Sequence, residues 1–368
     1  MKVVKVRSPF IIEVNETGQI GSKIELSIWN GSSYPTSGIG FYSLSKSIPS
    51  TTQISTYYNV SNYVKEFIDN IKPTKIASSP SYEDNNEWVK FQIKRYKLVG
   101  TTYTQVGSTT EYVGVNGFTI YTAGVNAIQD YFTTGFLSNK LISKNLLKSS
   151  SSLKSYVNWI GEFESAYRLE LIYVKLDNSY SITQNITSLT GIKNFKIPLT
   201  KYPTDPLFIL GNRLDVNLYN ASNVQIASDS VYVYINEECK YTPVECTFIN
   251  RYGGWEFLTF FKQQTNTIAV KGTDYKLTQS TINYNTAIGQ FKTFNINGKQ
   301  TVKLNTGFVD ENYSELITDL LLSETVLLDS KPVTVKTQGS ELKTSLKDKL
   351  INYEMEFEYA YNLINDVV

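Results

Sequence analysis

The chain has 368 residues and a formal net charge of +1, and it contains no histidine. The lack of histidine excludes Ser-His-Asp and Cys-His catalysis and histidine-ligated metal sites. The near-neutral charge argues against a surface for nucleic acid or anionic membranes. Tyrosine is abundant, with 27 residues, and Ser, Thr and Asn are frequent, a mixture that favours strands and turns. We therefore predict a mainly β protein of several β-sandwich-like modules with a few short helices.

The N-terminal residues do not resemble a targeting or membrane segment. The chain starts with basic residues, but Pro9 and Glu13 interrupt any apolar region of the signal-peptide type. No apolar run approaches the roughly 18 residues needed to span a bilayer. We therefore expect no membrane span, and we expect folding in the cytoplasm.

The first predicted module covers residues 1–80. Residues 23–29 alternate between polar and aliphatic side chains, which predicts a strand with its aliphatic side chains pointing inward. A short helix is predicted to begin near Ser61, because serine is a good N-cap, and to end before Pro73.

The second predicted domain covers residues 81–235. It begins with an acidic connector and two long strands, residues 88–96 and 101–113, separated by Gly100. A Ser/Lys-rich stretch over residues 137–153 is weakly patterned, so we expect a surface loop; the alternative is a loop that contacts a neighbouring subunit. The candidate interface residues of this stretch are Lys140, Lys144, Lys148 and Lys154.

Residues 239–261 carry both cysteines, a Gly-Gly pair and a dense aromatic run. The pattern predicts two strands that meet at Gly253-Gly254, where positive φ costs little. Both faces of the second strand are apolar, so we expect a buried core hairpin; the alternative is an aromatic platform for a stacked ligand. Cys239 and Cys246 do not form a disulfide framework, and we expect two free, partly buried thiols and no zinc.

The third predicted domain covers residues 236–368. Strands are expected over residues 276–284, 291–296 and 300–305, with Asn297-Gly298 as a hairpin turn between the last two. The clearest helix of the chain covers residues 310–322. Its predicted apolar face consists of Tyr313, Leu316, Ile317 and Leu320. A row of carboxylates, which we interpret as a solvated face rather than a metal or acid-base site, consists of Glu311, Glu315 and Asp319.

The chain closes on a predicted strand, residues 350–361, which is apolar on one side and acidic on the other. A row of glutamates on a terminal strand protects an exposed sheet edge or meets a basic partner surface. The candidate interface residues of this strand are Glu354, Glu356 and Glu358.

Several of these stretches also resemble tail structural proteins of phages that infect Bacteroidetes, the crAss-like phages among them. The resemblance covers the second and third predicted domains more firmly than the first, and its motifs are structural. The stretches that carry it are residues 248–255 (FINRYGGW) with 260–262 (FFK), 304–311 (LNTGFVDE), 320–324 (LLLSE), 349–354 (KLINYE), 360–361, 111–118 (EYVGVNGF) and 124–126.

The resemblance implies a virion component in a ring around the tail or its hub, assembled in the host cytoplasm. It brings no catalytic residues and no cofactor, and we expect neither. The implied partners are copies of the chain and other tail or neck proteins, without direct nucleic-acid binding. Cyclic rings use heterologous contacts, so two different faces should meet. The Ser/Lys-rich stretch and the acidic terminal strand are the candidate faces.

Two other classes of function remain open at this point. A carbohydrate-binding receptor module would stack tryptophans on sugar rings, and a polysaccharide-degrading enzyme would need two carboxylates that flank one bond. The candidate carboxylate pairs are close neighbours in sequence, which is a poor arrangement for that task. The candidate residues are Trp29, Trp88, Trp159 and Trp255 for the first class, and Glu162 with Glu164 or Glu237 with Glu238 for the second.

Overall fold

The fold is described from a computed structural model of the chain. The chain is mainly β, as predicted, with several sheets and two α-helices in the described part. The structure describes residues 2–30, 33–48, 54–69, 80–82, 87–126, 134–148, 155–201, 206–278, 282, 285–337 and 350–365.

The secondary-structure elements are named in chain order. Two short 3-10 segments, Tyr121–Ala123 and Pro206–Phe208, complete them. The elements are β1 (Val3–Lys5), β2 (Ile11–Asn15), β3 (Gly21–Trp29), β4 (Phe41–Ser47), β5 (Ser55–Asn59), α1 (Ser61–Lys65), β6 (Ser81–Tyr82), β7 (Trp88–Val99), β8 (Thr102–Val115), β9 (Gly135–Phe136), β10 (Lys144–Leu147), β11 (Tyr156–Lys175), β12 (Ser181–Pro198), β13 (Gly211–Tyr219), β14 (Gln225–Asn236), β15 (Val244–Ile249), β16 (Trp255–Phe260), β17 (Thr265–Lys276), β18 (Phe291–Asp310), α2 (Tyr313–Leu321), β19 (Val326–Leu328), β20 (Lys331–Val335) and β21 (Leu350–Tyr359).

The chain divides into two compact units. The three-part division at residues 80 and 235 that the sequence suggested stays a prediction. Unit 1 consists of residues 1–237, 248–258 and 322–324, and unit 2 of residues 238–247, 259–321 and 325–368.

The first layer of unit 1 is a five-stranded sheet in the order β1-β8-β7-β3-β4, and the pair β2-β5 forms a second layer. Side chains from both layers and from α1 share one core, which makes this part a small β-sandwich. The inward alternation of β3 is confirmed, because Ile24, Leu26 and Ile28 are all buried. Helix α1 begins at Ser61, but the predicted cap is wrong. The Ser61 hydroxyl accepts a hydrogen bond from the Phe10 amide and donates one to the Ser8 carbonyl, and Val60 is the N-cap.

Unit 1 also contains a seven-stranded sheet in the order β10-β14-β13-β11-β12-β6, with β9 on β11. Its central hairpin, β11-β12, is very long and changes register twice between Phe163 and Leu169. The part of β11 after the irregularity pairs with β13, and the part before it pairs with β9. Core residues from both halves lie in one cluster, so the irregular hairpin bends around a single core.

The third sheet has the order β16-β15-β19-β20-β21-β18-β17. The terminal strand β21 therefore lies between β20 and β18, and the expectation of an exposed edge is wrong. The alternation predicted for it is confirmed, since Ile351, Tyr353, Met355 and Phe357 are buried.

Two further predictions for this region need correction. Asn297-Gly298 is not a hairpin turn: β18 runs straight through it and pairs there with β17. The strand expected over residues 276–284 lies earlier in the chain, as β17. Residues 279–281, 283 and 284 lie outside the described part.

Helix α2 is confirmed, and so is its apolar face. Tyr313, Leu316, Ile317 and Leu320 are buried. The carboxylate row is only partly solvated, because Glu311 and Glu315 are exposed whereas Asp319 is buried. Within the described residues, no group of three or more Asp, Glu or Cys side chains could hold a metal ion.

Candidate assembly surfaces

The four candidate lysines of the Ser/Lys-rich stretch do not share one surface. Lys140 is exposed and pairs with Asp229 at 2.5 Å, and Lys148 pairs with the exposed Glu237 at 2.5 Å. Lys144 is buried, so its assignment to an exposed interface is wrong. Lys154 and the serine run before it lie outside the described residues.

Lys144 instead belongs to a buried polar cluster. Its ammonium lies 2.7 Å from the Glu256 carboxylate and 2.9 Å from the Ser138 hydroxyl. The Ser138 hydroxyl donates to the second Glu256 oxygen at 2.6 Å. All three side chains are buried, and a buried charge pair of this kind is held by the hydrogen bonds that satisfy both partners. The cluster therefore holds the first residue of β10 against strand β16, and all three side chains belong to unit 1.

Asn250 extends this cluster into the Gly-Gly turn. Its amide nitrogen donates to the Leu137 carbonyl at 2.9 Å and to Glu256 at 3.2 Å. Its side-chain oxygen accepts from the backbone amides of Tyr252 and Gly254. Gly254 is required here, because a Cβ on it would lie 2.3 Å from the Leu137 carbonyl oxygen. The turn therefore has a structural explanation that does not involve a ligand.

The aromatic hairpin is a core element, as predicted. Every residue of β16 is buried, so the interpretation as a ligand-stacking platform is wrong. The two cysteines are free thiols, as predicted, but only Cys246 is buried, whereas Cys239 is exposed. Burial raises the pKa of the Cys246 thiol well above its ordinary value, with smaller contributions from Glu245 and Asp329.

The acidic face of β21 contacts lysines of its own sheet. Glu358 lies 3.3 Å from Lys299 and 3.2 Å from Lys336. Glu354 lies 3.0 Å from Lys303, and Glu356 is exposed on the same face. Cross-strand pairs of opposite charge stabilise a sheet, so part of this face is already neutralised within unit 2.

The most exposed regular element contains β17, a strand that the sequence analysis placed too late in the chain. We call β17 together with residues 291–303 of β18 the arm. All twelve residues of β17 are exposed, and so are residues 291–296 of β18. The arm includes exposed apolar side chains, with Ile268 59% and Val270 67% exposed. Monomeric proteins rarely leave such side chains together in water without a partner.

The two faces of the arm differ in chemistry. Ile268, Val270 and Gly272 share one face because they are two residues apart. The side chain of Ile296 lies on the same face, since a Cβ added to Gly272 would be 3.0 Å from it. The opposite face contains the aromatic pair Tyr275 and Phe294, with ring centroids 5.6 Å apart. The aliphatic face continues to Leu363, whose amide donates to the Gly298 carbonyl at 2.8 Å.

The residues named for the other two functions lie in unfavourable places. All four tryptophans are buried, so the alternative in which they stack on sugar rings is wrong. Glu237 and Glu238 each form an ion pair, with Lys148 and Lys262. Glu162 is exposed, and the side chain of Glu164 lies outside the described residues. In the described part of the chain, no helix is long and apolar enough to cross a membrane.

Comparisons with known proteins add little to these observations. No family model matches the chain, and no match to a curated protein was found. One solved structure with some similarity is the crystal structure of calcium binding domain CBD12 of CALX1.1. The alignment covers 64% of this chain and 96% of that chain at 9% identity, with a TM-score of 0.19. A TM-score of this size carries no argument about function.

Proposed function

We propose that this chain is a non-enzymatic structural subunit of a phage tail. In this proposal it forms part of a ring, hub or adaptor, assembles through protein-protein contacts with copies of itself and with other tail or neck proteins, and reaches the virion from the host cytoplasm. The observation that carries the proposal is the arm, whose two strands expose apolar side chains on a regular element.

The physical argument concerns the stability of such an element. A two-stranded ribbon without a core is marginally stable in water, and a long exposed edge strand is a template for pairing with another chain. Natural proteins blunt or cover exposed edge strands, so we expect a partner to cover this one. The stretches that resemble phage tail proteins, among them residues 248–255 and 304–311, supply the reason to place that partner in a tail.

The test is the mass of the purified chain in solution, measured by light scattering over a range of concentrations, with negative-stain electron microscopy of the same samples. We expect oligomers that form closed rings or ring fragments. A chain that stays monomeric at every concentration and binds no protein of the same virion would contradict the proposal.

A further inference from the structure

We propose that the arm binds a second copy of this chain through its edge strand, with the two β17 strands antiparallel across a two-fold axis at Ala269. The inference deepens the proposed function and rests on it, because it names the partner of the arm. A contact of this kind adds to the head-to-tail contacts of a ring, since it joins subunits in pairs.

The edge of β17 has the properties that permit pairing. Among the described residues, β17 is the last strand of its sheet and pairs only with β18. It is twelve residues long and contains no proline. Natural proteins usually protect an edge by making it short, by placing charged residues, proline or a bulge in it, or by covering it. Within the described residues β17 has only the charged residues, such as Lys271. The irregularity of the arm lies in β18, where Asn295 has a φ of 51°, so β17 itself stays regular and available.

The choice of a second copy follows from the sequence of β17, since an antiparallel two-fold pair brings each residue opposite another residue of the same strand. With the axis at Ala269, Ile268 of each copy lies opposite Val270 of the other. The same register places Lys271 opposite Thr267. Two aliphatic pairs therefore form, and no like charges meet.

Neighbouring registers are less favourable for stated reasons. An axis at Lys271 would place two ammonium groups opposite each other, and like charges directly opposite destabilise a sheet. An axis at Gly272 would place Val270 opposite Asp274. An axis at Val270 itself would place Ile268 opposite Gly272, which offers no side chain to pack against. Charge and shape together favour the axis at Ala269 over these three.

The two-fold axis is perpendicular to the sheet, so it keeps the aliphatic faces of both arms on one side. The exposed side chains of Ile268, Val270 and Ile296 from two copies then form one patch on a four-stranded sheet. Pairing over residues 265–273 of each strand buries a small area, and one such contact is weak alone. Repetition of this contact around an assembly strengthens the association, because one formed contact raises the effective concentration of the partners of the next.

The test is disulfide trapping across the axis, in a Cys239→Ser background that removes the exposed thiol. Ala269→Cys places two cysteines directly opposite, at a Cα separation of about 5 Å, within the range for a disulfide. Thr273→Cys is the matched control. It lies on the same face of the same strand, but four residues from the axis, so the two copies are about 27 Å apart. Under mild oxidation we expect at least about tenfold more covalent dimer from Ala269→Cys than from Thr273→Cys.

Light scattering of the same samples before oxidation separates the two proposals. If the samples self-associate but the two cysteines link equally or not at all, the edge contact is overturned and the structural function stands. A monomeric mass without any Ala269 link counts against both. Selective linking at Ala269 supports the contact at any measured mass, since a disulfide accumulates even from a weak encounter.

Discussion

At the scale of single residues, the most tightly held group is the buried cluster of Lys144, Glu256, Ser138 and Asn250. A lysine in a Ser/Lys-rich stretch resembles a surface residue in the sequence, because nothing nearby signals its partner. The partner, Glu256, is more than 100 positions away and occurs in an aromatic run. Burial of both charges depends on that distant pairing, so the exposure of Lys144 could not be predicted locally.

Glu256→Gln should destabilise unit 1 by about 3–5 kcal/mol, because it leaves the Lys144 ammonium buried without its counter-charge. Chemical denaturation followed by tryptophan fluorescence measures this, since all four tryptophans lie in unit 1. The matched control is Lys148→Met in the same strand region. Its ion pair with Glu237 is exposed, so we expect a loss of less than about 1 kcal/mol. Equal losses in the two variants would show that the buried pair has no special role.

The two cysteines should differ sharply toward thiol reagents. At pH 8 we expect the reagent to modify one thiol per chain of the native protein rapidly, at Cys239, because this residue is exposed. Cys246 should not react, since burial blocks the reagent and raises the pKa of its thiol, which keeps it protonated. Addition of guanidinium should release the second equivalent. A colorimetric thiol count checks this, and two rapid equivalents in the native protein would contradict the burial of Cys246.

At the scale of elements, the sequence predicted alternation well and strand neighbours poorly. The buried faces of β3, β21 and α2 follow from side-chain spacing alone, because periodicity is a local property. That β21 lies inside a sheet depends on which strands pair with it, and terminal position in the chain does not determine this. The position of β17 escaped prediction because this strand has no buried face, although Ile268 and Val270 among Thr and Tyr residues are a strand signal.

The ion pairs of β21 predict a pH dependence for unit 2. Partial burial alone would raise the pKa of Glu358, but hydrogen bonds from Lys336 and Lys299 outweigh it and hold the pKa below its ordinary value of 4.5. A carboxylate with a lowered folded pKa stabilises the fold above the unfolded pKa, and this contribution is lost as the pH falls through the folded value. Glu358→Gln should therefore lower the melting temperature of unit 2 at pH 7, and by less at pH 3.

Calorimetry is the suitable measurement for Glu358→Gln, since unit 2 contains no tryptophan. Glu356→Gln is the matched control on the same strand and face, because Glu356 is exposed. We expect its loss at pH 7 to be smaller than that of Glu358→Gln. A loss that is the same at both pH values would indicate a packing effect instead of a charge effect.

At the scale of the whole molecule, the fold has well-packed sheets and one strand, β17, whose residues are all exposed and which pairs only with β18 among the described residues. We therefore expect different residues to determine the stability of the fold and the self-association of the chain. The cores of the sheets do not depend on the side chains of Ile268 and Val270, which are exposed. Changes there should therefore act on self-association and leave the stability of each unit nearly unchanged.

The double variant Ile268→Thr and Val270→Thr tests this separation. Threonine keeps the strand propensity and removes most of the apolar surface, so we expect a melting temperature within about 2 °C of the parent, because exposed substitutions rarely change stability by more than about 0.5 kcal/mol. Sedimentation velocity should show a loss of oligomer at concentrations where the parent assembles. Ile39→Thr is the control, since Ile39 is 91% exposed outside the arm. If Ile39→Thr weakens assembly equally, general surface hydrophobicity drives association, and the arm has no specific part in it.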